Sequence, residues 1–217
     1  MIEAVIFDLD GLLIDSEQVW DDVRREYVAE RGGHWHAGAQ RDMMGMSAPE
    51  WSRYVSEELH VELPPDRINA DVVERLLARY RTGLPLLPGA REAVARLAQR
   101  WPLGLASSSN REVIDLVLEV GDLGRYFQVT VSSEEVGRGK PAPDVYLAAA
   151  RRLGVSPSAC AAIEDSHNGI ASAAAAGMRV IAIPNAVFPP GEAALAPAAR
   201  ILESLDALTV EVVGSRG

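Results

Sequence analysis

Five short apolar runs, each ending in polar residues or proline, constrain the fold of this chain more than any other feature. They are Ala4-Val5-Ile6-Phe7, Leu103-Gly104-Leu105-Ala106, and residues 127–131, 159–163 and 180–183. In turn they stop at Asp8-Leu9-Asp10-Gly11, Ser107-Ser108-Ser109-Asn110, Ser132-Ser133, Glu164-Asp165 and Pro184. Each run has the length of a strand buried on both faces. Helical periodicity covers residues 89–100 and 111–120, then 143–153 closed by Gly154 and 168–176 closed by Gly177. Short strands alternating with such helices predict an α/β fold with a doubly wound parallel sheet and right-handed crossovers. Function in these sheets sits at the carboxyl ends of the strands, where the polar residues fall.

Residues 15–82 break the alternation. They carry helix patterns over 16–31, 48–60 and 66–81 and no strand pattern, so they read as a helical insertion after the first strand. This divides the chain into a core of residues 1–14 and 83–217 and a helical cap of residues 15–82. Trp20, Trp35, Trp51, Met43, Met44 and Met46 all lie in the cap, and packing of a small bundle is the first expectation for them. Residues 189–197, rich in Pro and Ala, read as a loop.

The formal charge is −10, with 20 arginines and a single lysine, Lys140. The acidic balance argues against nucleic acid or anionic membrane as a partner, and nothing requires a protein partner. No run reaches the roughly 18 apolar residues of a membrane span, and the first seven residues lack the cationic flank of a signal peptide; a cytoplasmic location is the default expectation. Cys160 has no partner cysteine and lies among alanines, which predicts a buried, inert thiol.

Asp8 and Asp10 flank one residue at a strand end, so in extended chain both carboxylates face one side. Such a pair can act as nucleophile and general acid/base, although acids before glycine also serve as ordinary turn chemistry. Glu164 and Asp165 add a second acidic pair at another strand end. Four carboxylates at one sheet edge would repel each other unless a hard cation such as Mg²⁺ joined them. Lys140 stands in Gly137-Arg138-Gly139-Lys140-Pro141-Ala142-Pro143, which is no nucleotide P-loop, because Glu134 occupies the place of the first glycine and Pro141 follows the lysine. A compact ammonium there could bond a carboxylate and a phosphoryl oxygen together. Residues 107–110 offer hydroxyls and N–H groups ahead of a helix, a cradle suited to phosphate. His167 reads as structural or peripheral, since no zinc-binding spacing accompanies it.

In this order, Asp8-Leu9-Asp10-Gly11, Ser107, Lys140 within G-x-x-x-K-P, and Glu164-Asp165 resemble the signatures of the haloacid dehalogenase superfamily, in the branch that includes β-phosphoglucomutase-like phosphatases. The resemblance spans nearly the whole chain. It implies a Rossmann-like core with a helical cap inserted after the first strand, and a Mg²⁺-dependent phosphatase acting on a small phosphorylated metabolite, a sugar phosphate among them, through a phospho-aspartate. Asp8 would be the nucleophile, Asp10 the general acid/base, and Lys140 the partner of Asp8 and the phosphate. Ser107 and the N–H groups of Leu9, Asp10 and Ser108 would bind the phosphoryl group. Asp8, the backbone carbonyl of Asp10, and Asp165 would hold Mg²⁺, with Glu164 either a ligand or an acceptor for metal-bound water. Trp20, Arg24, Met44, Gly45 and Arg53 are the candidates for substrate contact from the cap.

Two departures bear on the reaction. The β-phosphoglucomutases carry a histidine where this chain has Trp20, and an arginine after the G-x-S matched by Gly45-Met46-Ser47, where it has Ala48. Losing that arginine removes the clamp for a second phosphate and favours hydrolysis over a phosphomutase. A phosphoacceptor or binding module without turnover is the alternative outside enzymes. The proposed centre sums to −3, which one Mg²⁺ would bring to −1.

Overall fold

In the computed structural model, which describes residues 1–44, 46–185 and 189–215, β1 (Ala4–Phe7) leads into four helices: α1 (Glu17–Glu30), α2 (Ala39–Met43), α3 (Ala48–Glu57) and α4 (Pro65–Thr82). The alternating part follows as α5 (Ala90–Ala98), β2 (Leu103–Ser107), α6 (Arg111–Val120), β3 (Phe127–Ser132), α7 (Asp144–Leu153), β4 (Cys160–Glu164), α8 (His167–Ala175), β5 (Arg179–Ala182), α9 (Glu192–Leu195), β6 (Arg200–Ile201) and α10 (Val210–Gly214). The order across the sheet is β3-β2-β1-β4-β5-β6, and every pairing is parallel. This is the expected doubly wound α/β sheet with a helical insertion.

Alternate residues of each strand feed different layers. Val5 and Phe7 join a core with Leu97, Val113 and Val117 of α5 and α6, while Ala4 and Ile6 join one with Tyr146, Ala149 and Ile170 of α7 and α8. Burial on both faces explains why the strands read as continuous apolar runs. Within the insertion α4 lies against α1 and α3 and also packs on α6, and Tyr27, Val55, Val72 and Leu76 are buried in a core continuous with that of Val5 and Phe7.

Some local expectations change. Residues 192–195 form the helix α9 and not a loop, because Glu-Ala-Ala-Leu are strong helix formers once Gly191 starts them. β6 has two residues, both exposed, so no apolar run announces it. Cys160 is buried, and that burial pushes its thiol up to about 11, matching an inert side chain. No helix among the described residues is long and apolar enough to cross a membrane.

The chain leaves β1 toward β2 on one side and returns through β4 on the other. The switch point therefore lies between β1 and β4, where a crevice opens outside the strand ends.

Candidate active site

That crevice is a cavity of about 610 Å³, lined on the core side by Asp8, Asp10, Ser108, Ser109, Asn110, Lys140 and Ser166. The space suits a small organic ligand.

Lys140 is buried, and its Nζ donates to Asp8 Oδ1 at 2.6 Å and to Glu164 Oε1 at 2.6 Å. Tyr146 donates its hydroxyl to the same Glu164 oxygen at 2.7 Å. Glu164 Oε2 accepts from the N–H of Asp165 at 3.1 Å, and from the N–H and hydroxyl of Ser166 at 3.4 and 3.2 Å. Both oxygens of Glu164 are thus engaged by the protein. Asp165 is its opposite: it is buried, and its Oδ1 has no partner among the described residues. Asp8, Glu164 and Asp165 each present an oxygen, all within 4.8 Å of one another, an arrangement that could hold a metal ion.

Burial dominates the electrostatics of this group. It pushes the Asp8 carboxyl up to about 8 despite the neighbouring Lys140, and lifts Asp165 well above the carboxylate range with Glu164 adding to the effect. The Lys140 ammonium is held above its ordinary range, because attraction by Asp8 and Glu164 outweighs its own desolvation. Three buried carboxylates and one ammonium leave two negative charges in excess, which a dication would balance. Counting Asp10 as well, which lines the same cavity and acts electrostatically on Asp8, returns the expected residual of −1 with the dication bound.

Asp10 turns the other way. Its Oδ2 accepts from Ser109 Oγ at 2.7 Å and Ser107 Oγ at 3.2 Å, and its Oδ1 lies 3.4 Å from the indole nitrogen of Trp20. The turn after β1 separates the two carboxylates, and any bond from Asp10 to a metal would come from its backbone carbonyl. Gly11 makes that turn with φ +78°, and a Cβ there would stand 2.2 Å from Asp165 Oδ2.

The remaining candidates divide. Ser107 is fully buried, with its hydroxyl bonded to Asp10 and receiving the N–H of Ser109 at 2.9 Å, so Ser108, Ser109 and Asn110 form the cavity wall in its place. Ser108 Oγ is buried without a partner among the described residues. Glu134, read in the sequence only as a missing P-loop glycine, anchors this wall through Asn110 at 2.7 Å and the N–H of Arg111 at 2.8 Å. The Leu9 side chain is buried in the core.

From the cap, Trp20, Arg24 and Met44 line the cavity, and so do Glu17, Met43, Met46 and Trp51; the tryptophans and methionines therefore serve both packing and the cavity. Arg53 does not reach it. It lies two residues beyond Trp51 on α3, near the opposite face of the helix, and is exposed. Gly45 lies outside the described residues. His167, expected to be structural or peripheral, stands on the cavity wall and is exposed.

Residues 2–177 match the haloacid dehalogenase-like hydrolases. The chain belongs to this family. Hexitol phosphatase B of Escherichia coli (strain K12) is 40% identical over 192 residues, 84% of each chain. The phosphorylated carbohydrates phosphatase of Thermotoga maritima is 32% identical over 182 residues, 83% of this chain and 84% of that one. Among solved structures, CbbY from Rhodobacter sphaeroides in complex with phosphate aligns with a TM-score of 0.88 at 27% identity, covering 99% of this chain and 100% of that one. In this haloacid dehalogenase-like hydrolase, the ends of β1 and β4 carry the acidic cluster, the loop before α7 carries Lys140, and the inserted helices supply the far wall of the cavity.

Proposed function

We propose that the chain is a Mg²⁺-dependent phosphatase that hydrolyses a small phosphorylated metabolite, with sugar phosphates as the favoured class, through a phospho-aspartate on Asp8. The observation that carries this reading is the buried contact of Lys140 with Asp8 and Glu164, at one end of a cavity sized for such a substrate. The phosphatases among its relatives support it.

Asp8 Oδ1 is held by Lys140, leaving Oδ2 to attack phosphorus as the bond to the substrate oxygen breaks. Asp10, protonated, gives its proton to the leaving alkoxide. It then takes a proton from the water that attacks the aspartyl phosphate, which releases inorganic phosphate and restores Asp8. Ser109 and Ser107 keep the Asp10 carboxyl aimed at the cavity. Lys140 and the wall of residues 108–110 hold the phosphoryl oxygens. Asp8 and Asp165 would hold Mg²⁺, the unpartnered Oδ1 of Asp165 being the group most in need of it, while the fully bonded Glu164 orients Lys140. When bound, Mg²⁺ would supply the positive charge that keeps these carboxylates ionised and draws in phosphoryl oxygens. Ala48 in place of an arginine, in a chain whose cap residues 15–82 carry 14 acids and 9 bases, favours water over a second phosphorylated sugar as the acceptor.

Purified protein should release phosphate from p-nitrophenyl phosphate with Mg²⁺ and lose that activity in EDTA; equal rates in both would overturn the metal dependence. The metal should also act on stability with a definite sign. An unfolded aspartate loses its proton near pH 4, whereas folded Asp8 keeps it to about 8. The metal-free fold thus binds the extra proton across that window, and its stability falls as pH rises through it. The rise in Tm on adding Mg²⁺ should accordingly be larger at pH 8 than at pH 5.5, measured by thermal unfolding at both.

Gly169 gives an independent check on the Glu164 network. A Cβ at this position, in the first turn of α8, would lie 1.9–2.0 Å from the Glu164 carboxylate, which Lys140, Tyr146 and Ser166 already hold. Gly169→Ala should lower kcat by about a hundredfold through displacement of Lys140, on the scale of a 1 Å misplacement. Far-ultraviolet circular dichroism should be unchanged, and an unaffected kcat would sink this account of Glu164.

A further inference from the structure

On α1, Glu17, Trp20 and Arg24 recur at helical spacing and face the cavity together. The Arg24 guanidinium sits in the angle between two tryptophans: its carbon lies 4.4 Å from the Trp20 ring centre and 4.7 Å from that of Trp51, which comes from α3, and the two rings meet edge-on with centres 5.9 Å apart. Both rings attract it by cation–π interaction. Arg24 is only 6% exposed, yet its one hydrogen bond among the described residues is a long 3.4 Å contact to Gln40 Oε1, and its Nε has no partner there. Gln40 in turn donates to Glu17 Oε2 at 3.0 Å. A planar donor fork, held against two rings and left short of acceptors at a cavity wall, is built to meet a ligand.

Resting on the phosphatase reading, we propose that Arg24, held in the angle between Trp20 and Trp51 with Glu17 beside it, selects the substrate by donating hydrogen bonds to hydroxyl groups of a polyhydroxylated leaving group. The surroundings decide between hydroxyls and a second anion. Glu17 acts electrostatically on Arg24, and the cap side of the wall adds Asp42 against Arg41, so no positive excess awaits a carboxylate or a second phosphate. Hydroxyls accept from Arg24 and donate to Glu17 at once, which an anion cannot do. Burial lowers the guanidinium to about 10, still charged at neutral pH. The subsite adjoins the reacting end, because Trp20 also reaches Asp10.

The test compares the unsubstituted protein with Arg24→Lys and Arg24→Met, measuring kcat and KM with Mg²⁺ for a linear six-carbon polyol monophosphate and for p-nitrophenyl phosphate, whose leaving group lacks such a hydroxylated chain. In both variants the ratio of kcat/KM for the polyol ester to that for p-nitrophenyl phosphate should fall about tenfold to a hundredfold, mainly through KM for the polyol ester. Lysine should not rescue it, because it keeps the charge and loses the stacked fork. An unchanged ratio, or equal losses on both substrates, would assign Arg24 to packing and overturn the proposal. So would a tenfold preference of the unsubstituted protein for phosphoglycolate over the polyol ester. Absence of phosphate release from every ester by the unsubstituted protein would instead strike the phosphatase reading, and this inference with it.

Discussion

Asp8→Asn protein should hydrolyse p-nitrophenyl phosphate more than about a thousandfold slower than the unsubstituted chain, the scale of losing a covalent nucleophile. An amide of the same shape preserves packing around a nearly fully buried side chain, so the defect should be chemical and not one of folding. Lys140 keeps its bond to Glu164 in this variant, and the site loses one of the carboxylates that burial penalises. The metal-free variant should therefore keep its Tm or gain a few degrees, and its Tm should no longer fall as pH rises from 4 to 8 through Asp8. Rapid-quench experiments on the unsubstituted protein should trap a phosphoryl group on Asp8 that disappears within the turnover time. A phosphoryl group stable for many minutes would point to the phosphoacceptor alternative, and near-full activity of the asparagine protein would remove Asp8 from the reaction.

How far the sequence carries toward this site depends on the kind of signal each part needs. Ala4–Phe7 is legible because a strand covered on both faces must be apolar throughout, and its end places Asp8 at the sheet edge without coordinates. The Asp8–Lys140 contact joins residues 132 apart; residue type and loop chemistry suggest only an ammonium suited to some carboxylate, and it is the family resemblance that implies Asp8. Geometry beyond a single element is different. Periodicity puts Trp20 and Arg24 on one face of a helix, but only the packing of α3 against α4 brings Trp51 edge-on to Trp20 and beside the guanidinium. It also fails to separate Arg24 from Arg53, since an exposed and a buried arginine look alike until a helix has a neighbour. Ser107 reads as a phosphate ligand by position, yet its hydroxyl is drawn beneath the wall by Asp10. No local pattern encodes that bond, which depends on two loops meeting.

Lys140→Arg should reduce kcat by at least about a hundredfold, even though charge is conserved. The space around Nζ is closed: two carboxylate oxygens stand at 2.6 Å and the Tyr146 ring centre at 5.0 Å. A guanidinium is wider and offers its hydrogens in a fixed plane, so it cannot place one donor on Asp8 and another on Glu164 at these distances without moving one of them. It would also push Asp8 Oδ2 off the line of attack, where about 1 Å is decisive. Lys140→Met isolates the charge from the shape. Removing the Lys140 ammonium from beside three buried carboxylates should cost about 3–5 kcal/mol in metal-free protein at pH 8. The cost should shrink toward pH 5.5, as Asp8 and Asp165 take up protons and no longer need the ammonium. Urea unfolding at the two pH values reads that difference directly. If Lys140→Arg turned over normally, a point charge at this position would not be required, and the ammonium would be reduced to a counter-ion for Glu164. If Lys140→Met lost equal stability at both pH values, the cost would be one of packing, and the carboxylates would have to be balanced by something other than this lysine.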